Sequence, residues 1–252
     1  MARFESKVVV ITGGSQGMGL ATARRLASEG ASVVIGSRRK DVGEAAAADI
    51  AAEGGQALFV QTDVTVESDV KNLVDAAVSE FGRLDGAFNN AGGGSVFGPV
   101  HELDADAWMS EIDFNLTSVF YSLKYQVPAM LAGGGGSIVN NASQLGVVGM
   151  GTVSPYVSAK HALVGLTRTA ALELAQQGIR VNVITPAGVD TPLFRGTMGA
   201  TPEAAAHIAG LHPVNRVAAP EEIASFVAYL LSDETTFITG AALSIDGGWT
   251  AQ

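Results

Sequence analysis

Seven short runs rich in β-branched and apolar residues alternate along the chain with segments of helical periodicity. This alternation is typical of a parallel sheet covered by helices on both faces, because parallel neighbours need a crossover segment between them. The strand candidates are Lys7–Thr12, Ser32–Ser37, Ala57–Thr62, Leu84–Asn89, Ser137–Ser143, Arg180–Thr185 and Ala241–Ile245. We therefore predict an α/β fold with a doubly wound, seven-stranded parallel sheet.

Three of the segments between these runs have apolar residues spaced as on one face of a helix. The clearest stripe contains Val70, Leu73, Val74, Ala77, Val78 and Phe81, and another contains Ile223, Phe226, Val227, Leu230 and Leu231. We expect both stripes to pack on the sheet. A longer helix is predicted to have Trp108, Ile112, Leu116, Val119, Phe120, Leu123 and Val127 on its apolar side.

No linker or internal repeat divides the chain, so residues 1–252 are predicted to form a single domain. With 47% hydrophobic residues, the chain can bury a substantial core. The alternation is interrupted once, at about residues 193–219, where Gly, Pro, Met, Phe and His are mixed. Because this segment follows the carboxyl end of a strand, we predict a substrate lid; the alternative is a surface excursion with one short helix.

The composition excludes several classes of partner. A formal charge of −10 would repel nucleic acid and anionic membranes, so neither is expected to bind. The first residues run into a strand candidate without an apolar signal core, and no later segment is long and apolar enough to span a bilayer. We therefore expect a cytoplasmic protein.

No metal site is predicted. The absence of cysteine excludes disulfides and thiolate ligands. The four histidines, His101, His161, His207 and His212, are scattered without the spacing of metal ligands. His207 and His212 could reach a substrate under a closed lid, but we expect them at the surface.

A glycine-rich turn follows the first strand and opens a helix. It reads Thr12-Gly13-Gly14-Ser15-Gln16-Gly17-Met18-Gly19. Glycines allow a pyrophosphate to approach the helix N-terminus closely, and the free N–H groups there favour anions. Glycines also serve ordinary turns, but the strand–turn–helix context predicts a dinucleotide site of the Rossmann type. The candidate contacts are Gly13, Ser15, Gln16, Gly17, Met18 and Gly19.

The end of the second strand bears on the choice of cofactor. It continues as Ser37-Arg38-Arg39-Lys40, without the carboxylate that would hold the ribose 2′-hydroxyl of NAD. An arginine here can pair with a 2′-phosphate, so we predict that Ser37, Arg38 and Arg39 contact the cofactor and that NADP(H) is preferred over NAD(H). The alternative is a solvated charged turn, partly offset by Asp41.

Tyr156 and Lys160 are four residues apart in a segment predicted to be helical, with Ser154 as N-cap and Pro155 in the first turn. Residues at this spacing share a helix face, so the Lys160 ammonium can lie beside the phenol and favour the phenolate. Without such help, a tyrosine with a pKa of about 10 exchanges protons poorly near neutrality. The pair alone could be accidental, but Ser143 and the glycine-rich turn favour a catalytic role.

Together these motifs resemble the short-chain dehydrogenase/reductase family, from the first strand to Asp246-Gly247-Gly248. The glycine-rich turn resembles the family's T-G-x-x-x-G-x-G, Asp63-Val64 its adenine-contacting pair, and Asn89-Asn90-Ala91-Gly92 its fourth-strand signature. Pro186–Pro192 resembles its P-G-x-x-x-T-P segment beside the nicotinamide, with Ala187 in place of the usual glycine and Gly188 following. The resemblance implies further cofactor contacts from Asp63, Val64, Asn90, Ala91, Gly92, Tyr156, Lys160, Pro186, Gly188, Val189 and Thr191.

The resemblance also implies a mechanism, since Asn115, Ser143, Tyr156 and Lys160 fall where the family's catalytic tetrad falls. Tyr156 would exchange a proton with the substrate oxygen, and Ser143 would stabilise the charge that develops there. Lys160 would lower the tyrosine pKa and hold the nicotinamide ribose, while Asn115 would keep a water in the proton relay.

The function predicted is an NADP(H)-dependent carbonyl reductase or secondary-alcohol dehydrogenase for a small or medium organic substrate. A 3-oxoacyl-carrier-protein reductase fits the motifs equally well, although Ala129–Gly136 offers no Lys or Arg to an acidic carrier protein. The alternative of another class is a catalytically inactive nucleotide-sensing protein, which the intact tetrad disfavours. The resemblance further implies a homotetramer in which the Trp108–Leu131 and Tyr156–Gln176 helices meet their symmetry mates; a dimer is the alternative.

Overall fold

Seven parallel strands form one sheet in the computed structural model, which describes residues 2–252. The strands are β1 (Val8–Thr12), β2 (Ser32–Ser37), β3 (Gln56–Gln61), β4 (Gly86–Asn89), β5 (Gly136–Asn141), β6 (Ile179–Pro186) and β7 (Ala242–Ile245). The helices are α1 (Gly17–Ser28), α2 (Lys40–Ala52), α3 (Glu67–Phe81), α4 (Ala105–Ile112), α5 (Ser118–Ala132), α6 (Ser154–Leu174), α7 (Pro192–Gly196), α8 (Pro202–Gly210) and α9 (Pro220–Leu231). The predicted doubly wound α/β fold is confirmed.

The strand order is β3-β2-β1-β4-β5-β6-β7, so the chain reverses direction across the sheet between β1 and β4. Thr12 pairs in register with Asn89, and Asn89 with Asn140, which aligns the carboxyl ends of β1, β4 and β5. In open α/β sheets the crevice at such a reversal is where ligands bind. The predicted nucleotide and catalytic motifs both follow strands that end here.

Successive side chains of β1 point to opposite faces of the sheet, and each face has its own hydrophobic core. Val8 and Val10 pack with Leu73 and Leu123 of α3 and α5 on one face. Val9 and Ile11 belong to the layer on the other face, which α1, α2 and α9 cover. Burial on both faces explains why the strands read as nearly continuous apolar runs in the sequence.

The predicted long helix is interrupted. A π turn at Asp113–Thr117 separates α4 from α5 and contains Asn115. Since a π turn adds a residue to the helical repeat, the apolar stripe changes phase there. Phe120, predicted on the apolar side, is therefore 49% exposed, whereas Val119 and Leu123 are buried.

Two local predictions were wrong by small margins. The helix that carries Tyr156 begins at Ser154 itself, with Val153 as N-cap, because Val157 N donates to Val153 O and closes the first turn. The segment 193–219 contains two short helices, α7 and α8, where one was considered. Its role as a lid stays a prediction. In residues 2–252 no helix combines the length and apolar character needed to cross a membrane.

The third helix provides a matched test of the packing. We expect Val74→Ala to lower the free energy of unfolding by about 2 kcal/mol, because Val74 is 3% exposed in the core. Val78→Ala on the same helix should cost less than about 1 kcal/mol, because Val78 is 38% exposed at the edge of the stripe. Denaturant titration at fixed protein concentration checks this, and equal losses for the two variants would contradict the packing.

Candidate active site

The glycine-rich turn is held against the end of β4 by direct hydrogen bonds. Thr12 Oγ1 accepts from the backbone N–H groups of Asn90 and Ala91 at 3.0 and 3.1 Å. Asn90 Nδ2 in turn donates to Thr12 O at 3.0 Å and to Gly13 O at 3.2 Å. The two predicted cofactor motifs are therefore parts of one rigid unit at the crevice.

The glycines of this turn are required by its geometry. Gly13 and Gly17 have φ values of +64° and +53°, which L side chains rarely adopt. A Cβ at Gly19 would lie 2.3 Å from Gly13 O and 2.7 Å from Asn90 Nδ2. Because α1 begins at Gly17, its N-terminal N–H groups are open to an anion. Gly13, Gly17 and Gly19 have no side chains that would block an anion from reaching them.

The end of β2 carries a polar atom without a partner. Ser37 Oγ is buried and has no hydrogen bond among the described residues. Arg39 donates to Gln16 Oε1, which joins β2 to the glycine-rich turn. Arg38 lies with its guanidinium carbon 5.7 Å from the centroid of the Phe114 ring. An orphaned hydroxyl beside two arginines fits the ribose end of a dinucleotide.

Asp63 sits beyond the end of β3. Its Oδ1 accepts from Thr65 N and Thr65 Oγ1 at 3.0 and 2.7 Å. Burial raises the pKa of this carboxyl, but the Thr65 hydrogen bonds and the charge of Arg38 outweigh burial and hold the pKa below its usual range. The carboxylate thus fixes the turn that carries Val64, which is buried.

Tyr156, Lys160, Ser143 and Asn115 meet at the carboxyl ends of β4 and β5. Lys160 is only 2% exposed, and its Nζ lies 5.5 Å from the centroid of the Tyr156 ring and donates to Asn141 O at 2.9 Å. A Cβ at Gly92 would lie 2.9 Å from Asn115 Oδ1 and 3.1 Å from Lys160 Nζ. Both predicted catalytic side chains therefore surround this glycine.

Ser143 lies two residues beyond β5 and caps a short 3₁₀ turn. Its Oγ accepts from Leu145 N at 3.1 Å and donates to Gln144 Oε1 at 2.7 Å. Asn115 clamps Gly93, with Nδ2 donating to Gly93 O at 2.9 Å and Oδ1 accepting from Gly93 N at 3.0 Å. The site is therefore tied to the loop after β4 as well as to α6.

The pKa of Tyr156 is raised, whereas the sequence predicted that Lys160 would lower it. Burial raises the pKa of Tyr156 to about 12, with a lowering contribution from the Ser143 hydrogen bond and a raising one from the charge of Glu111. Burial also lowers the pKa of Lys160 to about 8, while Glu111 raises it. Burial is the largest cause of both shifts, and the pKa of Tyr156 is raised even with Lys160 beside the phenol.

The segment after β6 faces the glycine-rich turn across the crevice. A Cβ at Gly17 would lie 3.0 Å from Thr191 Cγ2. Thr191 caps α7 by accepting from Phe194 N at 3.2 Å, and Val189 pairs with Ala218 in a parallel bridge. Of the predicted contacts beyond Pro186, Thr191 therefore lies beside the glycine-rich turn, whereas Val189 is buried in the core.

His212 is a residue whose place the sequence did not indicate. It was expected at the surface, but it is buried, and Gly188 N donates to its Nε2 at 3.1 Å while Nδ1 contacts Ile208 O at 2.8 Å. The ring of Trp249 stands edge-on to it at 5.0 Å between centroids. Since a Cβ at Gly188 would meet Val217 at 2.9 Å, packing requires the displaced glycine of this motif.

Glu111 is a second buried residue that the sequence did not single out. It is 2% exposed at the end of α4 and contacts both Asn115 and Ser95. Its position four residues before Asn115 is the signal that could have found it. No cluster of three or more His, Asp or Glu side chains placed to hold a metal occurs among residues 2–252.

Comparisons with known proteins give matches over nearly the whole chain. The family described as enoyl-(acyl carrier protein) reductase matches residues 13–250. Cyclohexanol dehydrogenase of Acinetobacter sp. (strain SE19) is 42% identical over 250 residues, covering 99% of this chain and 97% of the relative. Cis-4-hydroxycyclohexanecarboxylate dehydrogenase of Sinomonas cyclohexanicum is 44% identical over 248 residues, covering 98% of each.

Among solved structures, levodione reductase superposes with a TM-score of 0.94 at 38% identity, covering 98% of this chain and 99% of that one. These matches extend over nearly the whole chain, so they include both the strands and the crevice described above. The chain therefore belongs to the short-chain dehydrogenase/reductase family and is an oxidoreductase that acts on CH–OH donors.

Proposed function

We propose that the chain is an NADP(H)-dependent dehydrogenase/reductase that interconverts a ketone and a secondary alcohol, with Tyr156 as general acid and base. The observation that carries the proposal is the meeting of Asn115 and Lys160 at Gly92, with Tyr156 beside Lys160 and Ser143 in hydrogen-bond contact with Tyr156.

When bound, the nicotinamide supplies the hydride in reduction and accepts it in oxidation. Tyr156 donates its phenolic proton to the carbonyl oxygen in reduction and takes the hydroxyl proton in oxidation. A phenol whose pKa lies at about 12 is protonated at neutral pH and ready to donate. Ser143 Oγ binds the same oxygen, while Lys160, held by Asn141 O, stands beside the phenol.

The preference for NADP(H) is supported by the end of β2. Ser37 Oγ has no partner among the described residues, Arg38 and Arg39 follow it at the end of β2, and residues 36–40 contain no carboxylate; cations without a carboxylate at this place favour a 2′-phosphate. Arg39 already contacts Gln16, which leaves Arg38 as the cation to which we assign the phosphate.

We further propose a six-membered carbocyclic alcohol or ketone as the substrate class. The relatives named above for cyclohexanol and for cis-4-hydroxycyclohexanecarboxylate support this, as does an uncharged rim. Residues 91–100 and 143–154 contain no Asp, Glu, Lys or Arg, and Gly98 N donates to Thr152 O at 2.8 Å to join these two loops. Phe97, Met150 and Leu193 present exposed apolar side chains around the entrance.

A homotetramer is proposed from the outer faces of α4, α5 and α6. Met109, Phe120 and Leu172 are large apolar side chains exposed there, and Leu172 is 84% exposed. A large apolar patch on a globular chain marks an interaction surface. Symmetry mates that pack these helices together would cover it.

Tyr156→Phe tests the chemistry. We expect turnover of cyclohexanol or cyclohexanone to fall by about 10² to 10⁴-fold, with cofactor affinity retained, because the variant lacks only the exchangeable proton. Tyr229→Phe, which alters a half-exposed tyrosine of α9, is the matched control and should turn over normally. A wild-type chain that binds cofactor but turns over neither cyclic, acyclic nor acyl-thioester carbonyls would favour the sensor instead.

Arg38→Asp tests the cofactor. We expect the ratio of kcat/KM for NADPH over NADH to fall by about 10² or more, because an ion pair with the phosphate is replaced by repulsion. Lys40→Asp carries the same charge change on a neighbouring residue whose Nζ is paired with Glu44, and should move the ratio less. Equal ratios for both variants, or a wild-type preference for NADH, would contradict the assignment.

Leu172→Glu tests the assembly. Light scattering should give four chain masses for the wild type and a smaller assembly for the variant, because a buried unpaired carboxylate destabilises an apolar interface. Val66→Glu, at an exposed valine before α3, should leave the mass unchanged. A monomeric wild type would overturn the proposal.

A further inference from the structure

A buried carboxylate stands behind the proposed catalytic residues. Glu111 is 2% exposed in the last turn of α4, where a carboxylate is costly unless its oxygens are hydrogen-bonded. Its Oε2 accepts from Ser95 N and Ser95 Oγ at 3.1 and 2.9 Å. Its Oε1 accepts from Asn115 Nδ2 at 3.0 Å.

These partners suit an ionised carboxylate. Ser95 N and Asn115 Nδ2 are donors only, so each carboxyl oxygen already accepts from a group that cannot accept in return. The charge is therefore balanced by neutral donors instead of by an adjacent cation. A buried group arranged in this way is a candidate for a functional role beyond packing.

Glu111 joins two walls of the site. On one side it holds Asn115, whose amide clamps Gly93 at both the N–H and the carbonyl. On the other side it holds Ser95, the residue after Gly94, and a Cβ at Gly94 would lie 3.5 Å from the Tyr156 ring. One carboxylate thus fixes the loop that lies against the phenol and the Asn115 side chain within the π turn.

The titratable groups that face Glu111 belong to α6. They are Tyr156 and Lys160, and the negative charge of Glu111 raises the pKa of both. Residues 92–95 contribute only glycine and serine, and Asp113 of the π turn accepts from Thr117 Oγ1 at 3.0 Å. Burial lowers the pKa of Lys160, and the charge of Glu111 opposes that shift.

Resting on the proposed function, we propose that Glu111 is a positioning residue for the reaction: it orders Asn115 and the Gly93–Ser95 loop around Tyr156 and places a negative charge beside α6. It touches neither substrate nor the reacting atoms, and acts through Asn115, Ser95 and the field at α6. Its two contributions, geometry and charge, are separable by substitution.

Glu111→Gln removes the charge and also replaces one acceptor oxygen with an NH₂ group, which loses one of the two hydrogen bonds, so its effect is read against that of Glu111→Asp. We expect the Lys160 titration midpoint, followed by NMR of the lysine Nζ or Cε in the full chain without substrate and assigned with Lys160→Arg, to fall by about one pH unit. The pH profile of kcat should move to lower pH by a similar amount. Glu102→Gln, the same change at an exposed side chain, should move neither.

Glu111→Asp separates geometry from charge. The shorter carboxylate keeps the charge but loses reach to Ser95 or Asn115, so we expect kcat to fall by about tenfold or more with the Lys160 midpoint unchanged. The proposal is overturned if Glu111→Gln is folded and leaves the Lys160 midpoint where it is in the wild type. Because the NMR titration needs no turnover, that outcome is independent of whether the proposed activity itself is found.

Discussion

The pairing of Thr12 with Asn90 and Ala91 is the interaction on which the site depends. β1 and β4 are neighbours only because the chain reverses its direction across the sheet between them. At that reversal the Thr12 hydroxyl and the Asn90 amide bind each other's backbone and lock the glycine-rich turn to the loop after β4. The cofactor motifs and the Gly92–Ser95 loop, with its catalytic neighbours, thereby share one frame.

The second constraint is desolvation. A lysine, a tyrosine and a glutamate are brought together in a space from which most water is excluded, and the charge of the glutamate raises the pKa of both the tyrosine and the lysine. The buried ammonium is supported by a carbonyl oxygen and by the field of a carboxylate in the neighbouring helix. Glu111 is therefore coupled to the two titratable groups of α6 through its charge.

Much of this arrangement could be predicted from the sequence. Each strand was predicted within two residues at both ends, because a strand buried on both faces leaves a continuous apolar run. Tyr156 and Lys160 were predicted from a local i, i+4 spacing, whereas Asn115 was predicted only from the family resemblance. The π turn, by contrast, has no period of its own, and it moved Phe120 outward. The direction of the Tyr156 pKa, and the burial of Glu111 and His212, depend on contacts between distant segments that no local pattern records.

The contact between Gly188 and His212 has a consequence for redesign. The glycine beside Ala187 is fixed by the imidazole and by Val217 above it, both contributed by the segment that returns from α8. A chimera could take the segment that contains His212 and Val217 from a homologue whose glycine lies one place earlier. The acceptor nitrogen of the imidazole would then face a backbone amide that points in a different direction. Transplants aimed at new substrates should therefore exchange residues 186–218 as one cassette.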